Sequence, residues 1–127
     1  MELKQVLVVD DSEADQFLNR YRILECQPGL EIRAAYDGLE ALKILQEPGY
    51  QPDLIFLDIN MPRMNGFEFL ERYVEEFKAT TSVVVMLSSS LVEADRARAQ
   101  AFAPVRGFLR KPLDVTWPGL LEEMLRS

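Results

Sequence analysis

Five short segments typical of strands, each followed by a segment of helical periodicity, constrain the fold of this chain more than any other feature. The five segments cover residues 6–9, 30–35, 54–57, 83–87 and 107–109. The first of them is a continuous apolar run, which is typical of a strand that is covered on both faces. Because right-handed crossovers place each intervening helix over a sheet, the strict alternation predicts an α/β fold, a doubly wound five-stranded parallel sheet with five helices.

Capping and turn residues mark where the first helices begin and end. Ser12 with Asp15 three residues later resembles a capping box, and Pro-Gly pairs at 28–29 and 48–49 stop the first two helices. Along the first helix, apolar residues recur at helical spacing: Phe17, Leu18, Tyr21 and Leu24. The third helix carries aromatic residues at helical spacing that are expected in the core: Phe67, Tyr73 and Phe77.

Length, charge and residue types exclude several classes of protein. A chain of 127 residues fits one domain, and its net charge of -7 repels phosphate backbones, so direct nucleic-acid binding is not expected. The sequence has no histidine, the usual zinc ligand and general base, and its single cysteine, Cys26, rules out an intramolecular disulfide. The apolar runs are far shorter than a membrane span and no signal peptide precedes the first strand, which indicates a cytoplasmic protein without a membrane segment.

Polar residues follow four of the five predicted strands. Asp10 and Asp11 follow the first strand, Asp58 the third, Ser88 the fourth and Lys111 the fifth. Parallel strands end at one edge of the sheet, and in a doubly wound sheet the ligand site lies beyond that edge. Each residue alone would be an ordinary helix cap or a solvated side chain. Their convergence on one edge predicts a functional site.

Three carboxylates held close together need a compensating cation. At an effective dielectric constant near 20, two unit charges about 4 Å apart repel each other by about 4 kcal/mol. Oxygen ligands without histidine or cysteine favour magnesium or manganese over zinc. A carboxylate can also attack phosphorus and form an aspartyl phosphate, with a metal and a lysine stabilising charge on the transferred group. Asp58 is therefore the candidate nucleophile of a magnesium-dependent phosphoryl transfer.

Three separated motifs occur in order along the chain: VVDDS at 8–12, LDINMP at 57–62 with Gly66, and FLRKP at 108–112. Together they resemble the receiver domain of response regulators in two-component signalling, and the match spans nearly the whole chain. The resemblance implies a flavodoxin-like sheet with strand order 2-1-3-4-5, the order known for the chemotaxis member of that family. It also implies one receiver domain over 1–127 with no output domain, since the chain ends directly after the fifth helix.

The resemblance assigns the carboxylates of the site to phosphorylation and metal binding. It implies that Asp58 accepts the phosphoryl group and that Asp11 and Asp58 bind magnesium directly. Asn60 would offer its backbone carbonyl to the ion, and Asp10 would reach the ion through water.

The resemblance also implies a lysine that binds the phosphoryl group and a two-residue switch. Lys111 would pair with a phosphoryl oxygen, and the bond from it to Pro112 would be cis. Ser88 would hydrogen-bond the phosphoryl group, with residues 89–90 as alternatives if the strand extended further. Phosphorylation would draw Ser88 inward and let the ring of Phe108 turn in, which would change the surface of the fourth helix, fifth strand and fifth helix.

A protein of this kind is expected to assist only its own phosphorylation and dephosphorylation and not to act as an enzyme on other substrates. Its expected partners are a histidine kinase or phosphotransfer protein and a downstream target protein, with the chain a monomer or a weak homodimer. One alternative is a receiver-fold interaction module that works without phosphorylation. A less favoured alternative is an aspartyl-phosphate phosphohydrolase, which typically has a second aspartate two residues after the nucleophile, where this chain has Asn60.

Overall fold

The computed structural model describes residues 3–78, 81–89 and 92–126, which form five strands and five helices in alternation. In chain order the elements are β1 (Gln5–Val9), α1 (Glu13–Cys26), β2 (Glu31–Ala35), α2 (Gly38–Leu45), β3 (Leu54–Leu57), α3 (Gly66–Glu76), β4 (Val83–Ser88), α4 (Glu93–Gln100), β5 (Val105–Arg110) and α5 (Trp117–Arg126). Each predicted strand is present. The predicted bounds of β5 were too short, because this strand continues to pair with β4 at both ends and reaches six residues.

All strand pairings are parallel, and the order is β2-β1-β3-β4-β5, which confirms the predicted doubly wound α/β fold. The direction of winding reverses at β1, which pairs with β2 on one side and with β3 on the other. In this register Val9 is aligned with both Ala35 and Leu57, so the three strands end level with one another. The residues that follow β1 and β3 therefore meet at the point where the strand order reverses, the usual place for a ligand site.

Successive strand residues point to opposite faces of the sheet, and each face is covered by its own set of helices. On one face α2, α3 and α4 pack over residues that include Leu7, Ile55 and Val84. On the other face α1 and α5 pack over the strand residues that alternate with these, such as Val8 and Phe56. The central strands β3 and β4 are buried along their whole length, which explains their uninterrupted apolar sequences.

The helices are short, and three of them begin at a side-chain cap. The side chains of Ser12, Asp37 and Asn65 each accept a hydrogen bond from a backbone N–H of the first helical turn. The longest helix, α1, has 14 residues. Across the described ranges, none of the helices combines the length and the apolar character that a membrane crossing needs.

On α3, Phe67 and Tyr73 are buried as predicted, while Phe77, which directly follows the helix, is only partly buried. On α1, of the residues at apolar spacing only Leu24 packs against the core, and it is partly buried. Phe17 and Tyr21 are 70% and 56% exposed, and Leu18 is exposed as well. The buried face of α1 carries two polar residues and one apolar residue: Gln16, Asn19 and Ile23. The reason is that polar side chains are needed there to satisfy buried backbone groups.

Candidate functional site

The sheet topology brings together the aspartates that follow β1 and β3. Asp10, Asp11 and Asp58 each offer a carboxylate oxygen within 4.8 Å of the others, with Asp10 and Asp58 buried and Asp11 exposed. The backbone N–H of Asp10 donates to Ala35 and that of Asp58 donates to Val9, so both residues continue the hydrogen bonding of the sheet. This acidic group can bind a metal ion. Its ligands are hard oxygens alone, which suits magnesium or manganese.

Lys111 follows β5, a strand at the edge of the sheet, and its side chain extends to the acidic group formed by Asp10, Asp11 and Asp58. Its ammonium nitrogen Nζ lies 2.9 Å from Asp10 Oδ2, 2.9 Å from Asp15 Oδ2 and 3.3 Å from Asp58 Oδ2. The lysine side chain is only 9% exposed. The peptide bond between Lys111 and Pro112 is cis. We call Lys111 and its three carboxylate partners the lysine cluster.

Burial and charge oppose each other within the lysine cluster. Burial, together with the charge of Asp10, raises the pKa of Asp58 to about 6, although the ammonium of Lys111 acts to lower it. Burial also raises the pKa of Asp10. For Lys111, burial acts to lower the pKa, but hydrogen bonds to Asp15 and Asp10 outweigh it and raise the pKa above its ordinary value. The site therefore holds carboxylates that are costly to ionise next to a lysine that stays charged.

Backbone contacts hold the carboxylate of Asp58 in place. Its Oδ1 atom accepts a hydrogen bond of 2.9 Å from the backbone N–H of Ile59, which leaves Oδ2 directed toward Lys111. Gly66 packs directly behind Asp58, and its N–H donates to the carbonyl of Ile59 at 2.8 Å. A methyl group at Gly66 would lie 2.5 Å from the carbonyl oxygen of Asp58. The loop that leaves β3 can thus fold back on itself only because residue 66 has no side chain.

One glutamine of α1 fixes the ends of β1 and β2. The side-chain nitrogen Nε2 of Gln16 lies 3.0 Å from the carbonyl oxygens of Val8, Asp10 and Ala35. Since this amide is buried, its hydrogen bonds replace water that the strand ends would otherwise need. Gln16 thereby ties the first turn of α1 to the strand that carries Asp10.

The two residues of the predicted switch lie on neighbouring strands at the same edge of the sheet. Ser88 is buried and is the last residue of β4, not the first residue after it as the sequence suggested, because the strand pairing continues to Arg110. Phe108, on β5, is half-buried, and the guanidinium of Arg96 lies 4.5 Å from its ring centroid. Of the alternative hydroxyls, Ser89 is exposed and Ser90 lies outside the described residues.

Two residues of the site were missed by the reading of the sequence. The spacing of Ser12 and Asp15 predicts a capping box, and the backbone N–H of Asp15 does donate to the side chain of Ser12. The carboxylate of Asp15, however, binds Lys111. Gln16 was given no role. Their nearness to the Asp10-Asp11 pair, within the first turn of α1, was the only signal available. Asn60 follows β3 two residues after Asp58, with its side chain exposed.

The chain matches the family model of the response regulator receiver domain over residues 6–117. It therefore belongs to the receiver domains of two-component systems, a family whose members interact with histidine kinases and downstream targets.

Related proteins include both short and long chains. The chemotaxis protein CheY of Halobacterium salinarum is 36% identical over 110 residues, covering 86% of this chain and 85% of that protein. A protein-glutamate methylesterase/protein-glutamine glutaminase of Rhodospirillum rubrum is 41% identical over 93 residues, or 72% of this chain. The match spans only 23% of that methylesterase.

Solved structures agree with the family assignment over the full fold. A two-component response regulator from Cytophaga hutchinsonii superposes with a TM-score of 0.88 at 32% identity, with 100% of both chains covered. The chemotaxis response regulator CheY4 of Vibrio cholerae gives a TM-score of 0.80 at 28% identity, covering 97% of this chain and 99% of that one.

Proposed function

We propose that this chain is a phosphorylation-controlled receiver that accepts a phosphoryl group on Asp58 from a histidine kinase or a phosphotransfer protein. The observation that carries the proposal is the position of Lys111, whose ammonium lies within 3.3 Å of the Asp58 carboxylate at the edge where the acidic group is exposed to solvent through Asp11. A buried lysine beside a carboxylate and an acidic group able to hold a metal is the arrangement that phosphoryl transfer to an aspartate requires.

Asp11 and Asp58 would hold a magnesium ion directly, with the backbone carbonyl of Asn60 as a third protein ligand and Asp10 acting through water. Magnesium usually retains several waters and uses only one or two protein carboxylates, which fits an acidic group with one exposed member. When bound, the ion supplies charge that draws in the phosphodonor and stabilises its oxygens during transfer.

In the proposed transfer, an oxygen of the ionised Asp58 carboxylate forms a bond to phosphorus while the bond between phosphorus and the donor atom breaks. The electron pair of the broken bond leaves with the donor. Lys111 stays charged because of its carboxylate partners, so its ammonium can donate to an oxygen of the transferred group once one of those partners gives up its hydrogen bond. Ser88, buried at the end of β4, would donate its hydroxyl to another of these oxygens.

Signalling would pass from Ser88 to Phe108 and then to a protein partner. Phe108 is half-buried, with the guanidinium of Arg96 of α4 over its ring. A rotation of that ring would remove the cation–π contact and change the surface formed by α4, β5 and α5. In this proposal the chain acts through protein contacts and not as an enzyme on other substrates.

The experiment that tests the proposal is intact-mass analysis after incubation with Mg²⁺ and acetyl phosphate. We expect a gain of one phosphoryl group that is stable in acid and lost in base, and that is absent after chelation of the metal. The variant Asp58→Asn should show no gain. Asp114→Asn removes an exposed aspartate that belongs neither to the acidic group nor to the lysine cluster, and it should behave like the wild type. Absence of a gain in the wild-type protein would overturn the proposal.

A further inference from the structure

The ammonium of Lys111 has no donor left for a phosphoryl group in the structure. A lysine ammonium carries three N–H donors, and the three carboxylates of the lysine cluster accept from them. A phosphoryl oxygen can therefore bind Lys111 only if one of these three carboxylates gives up its hydrogen bond.

The three carboxylates differ in what it costs to release them. The side chain of Asp10 is 1% exposed, so it would lose a charged partner without gaining water. Asp58, 9% exposed, is the proposed acceptor itself and remains beside the incoming group. The side chain of Asp15 is 32% exposed and can be rehydrated when it leaves the lysine. Asp15 is also the member that stands on a helix, outside the group of oxygens that could hold a metal.

The position of Asp15 is not explained by a structural role at the start of α1. The cap of this helix is the side chain of Ser12, and the backbone N–H of Ser12 donates to Asp10 at 3.0 Å, so the helix start does not use the Asp15 carboxylate. The neighbouring acidic residue of the same turn, Glu13, is exposed. Glu13 therefore offers a matched control for the charge of Asp15.

We propose that Asp15 is a positioning residue that competes with the phosphoryl group for Lys111 and thereby restrains phosphorylation of Asp58. The inference deepens the proposed function and rests on it. In the unphosphorylated protein Asp15 holds the ammonium, and it is the carboxylate that leaves when a phosphoryl oxygen arrives. Removing its charge leaves Lys111 available to the incoming group from the start.

The test measures the rate constant of phosphorylation by acetyl phosphate, and the affinity for beryllofluoride in Mg²⁺ by calorimetry, which reports binding without any reaction. For Asp15→Asn we expect about five-fold faster phosphorylation and about five-fold tighter beryllofluoride binding. The effect is no larger because the ion pair between Asp15 and Lys111 is partly exposed, and solvent weakens it. Glu13→Gln, with the same change of net charge, should leave both quantities near the wild-type values.

A double-mutant cycle separates competition for the lysine from simple charge repulsion. In a Lys111→Met background, Asp15→Asn should no longer change the rate of phosphorylation. An acceleration that persists without Lys111 would show that Asp15 acts on the phosphoryl group through space, and the inference would be wrong. It would also be wrong if Asp15→Asn matched Glu13→Gln. Failure of the wild type to be phosphorylated or to bind beryllofluoride would instead overturn the proposed function, and the inference with it.

Discussion

Two ion pairs of similar length show how differently charge can act in one small domain. The lysine cluster lies at the carboxyl edge of the sheet with Lys111 9% exposed, and its shortest contacts are 2.9 Å. Arg33 of β2 donates to Glu47 through its two terminal guanidinium nitrogens, Nη1 and Nη2, at 2.7 and 2.9 Å, but these side chains are 40% and 50% exposed. By distance alone, the exposed pair would be the stronger of the two.

Burial reverses that order. Arg33 and Glu47 are exposed, so water can replace either partner at little cost, and the ion pair adds little to the free energy of unfolding. In the lysine cluster, three carboxylates share one ammonium where water is largely excluded, so removal of any member changes the energy of all the others. The comparison shows that distances identify an ion pair, while burial determines how much the pair changes the free energy of unfolding and the pKa values of its members.

The largest expected effect is that of Lys111→Met in metal-free protein at pH 7. The substitution leaves buried carboxylates without their cation, and we expect a loss of about 2 to 4 kcal/mol in the free energy of unfolding. Urea denaturation monitored by circular dichroism measures this. Unchanged stability would show that water or protonation replaces the lysine at no cost, which would break the contrast with the exposed pair.

The next effect has the opposite sign. Because the folded pKa of Asp58 is raised from 3.8 to about 6, the folded state binds a proton more tightly than the unfolded state, and stability falls as the pH rises between these values. Asp58→Asn removes this penalty, so we expect it to stabilise the metal-free protein by about 1 to 3 kcal/mol at pH 7. Denaturation at several pH values should show the gain shrinking as the pH is lowered toward 4. A gain that is the same at every pH would contradict the assignment to Asp58.

A smaller effect is expected from metal binding. At ten times its dissociation constant, Mg²⁺ should stabilise the wild-type protein by about 1.4 kcal/mol, because it binds the folded state alone. Asp11→Asn removes the exposed carboxylate of the acidic group and should abolish most of this gain, while Glu13→Gln should retain it. Thermal unfolding with Mg²⁺ and with chelator gives the comparison. An equal response in both variants would place the ion elsewhere.

The smallest effect is expected for Arg33→Gln. Since both members of this pair are exposed, the denaturation midpoint should stay close to that of the wild type at low and at high salt. A marked loss of stability would mean that exposure does not separate the two ion pairs, and the contrast drawn from them would fail.

The sequence was sufficient for the fold because burial on both faces leaves a strong local signal. Strands β3 and β4 are buried throughout and appear in the sequence as unbroken apolar runs. The acidic group was predictable for a related reason: polar residues directly after such strands must meet at one edge. The family resemblance supplied the strand order, which no local pattern determines.

The sequence was misleading along α1, where tertiary contacts override apolar spacing. Phe17 and Tyr21 lie on the exposed face, and the buried face uses Gln16 and Asn19 to satisfy backbone groups of β1, β2 and the loop after β5. The partnership of Asp15 with Lys111 joins residues 96 positions apart. Such a contact depends on the folded arrangement of the chain ends and leaves no local trace.

The close packing of Gly66 against Asp58 has a consequence for how this sequence can vary. Any larger residue at position 66 would collide with backbone atoms, whereas a methyl group at Gly29 or Gly119 would meet nothing within 4 Å. In a saturation library selected for folded protein, positions 29 and 119 should accept many residues and position 66 almost none. Of these three glycines, the one directly behind Asp58 thus has the least mutational freedom, because its neighbours are backbone atoms that cannot move aside.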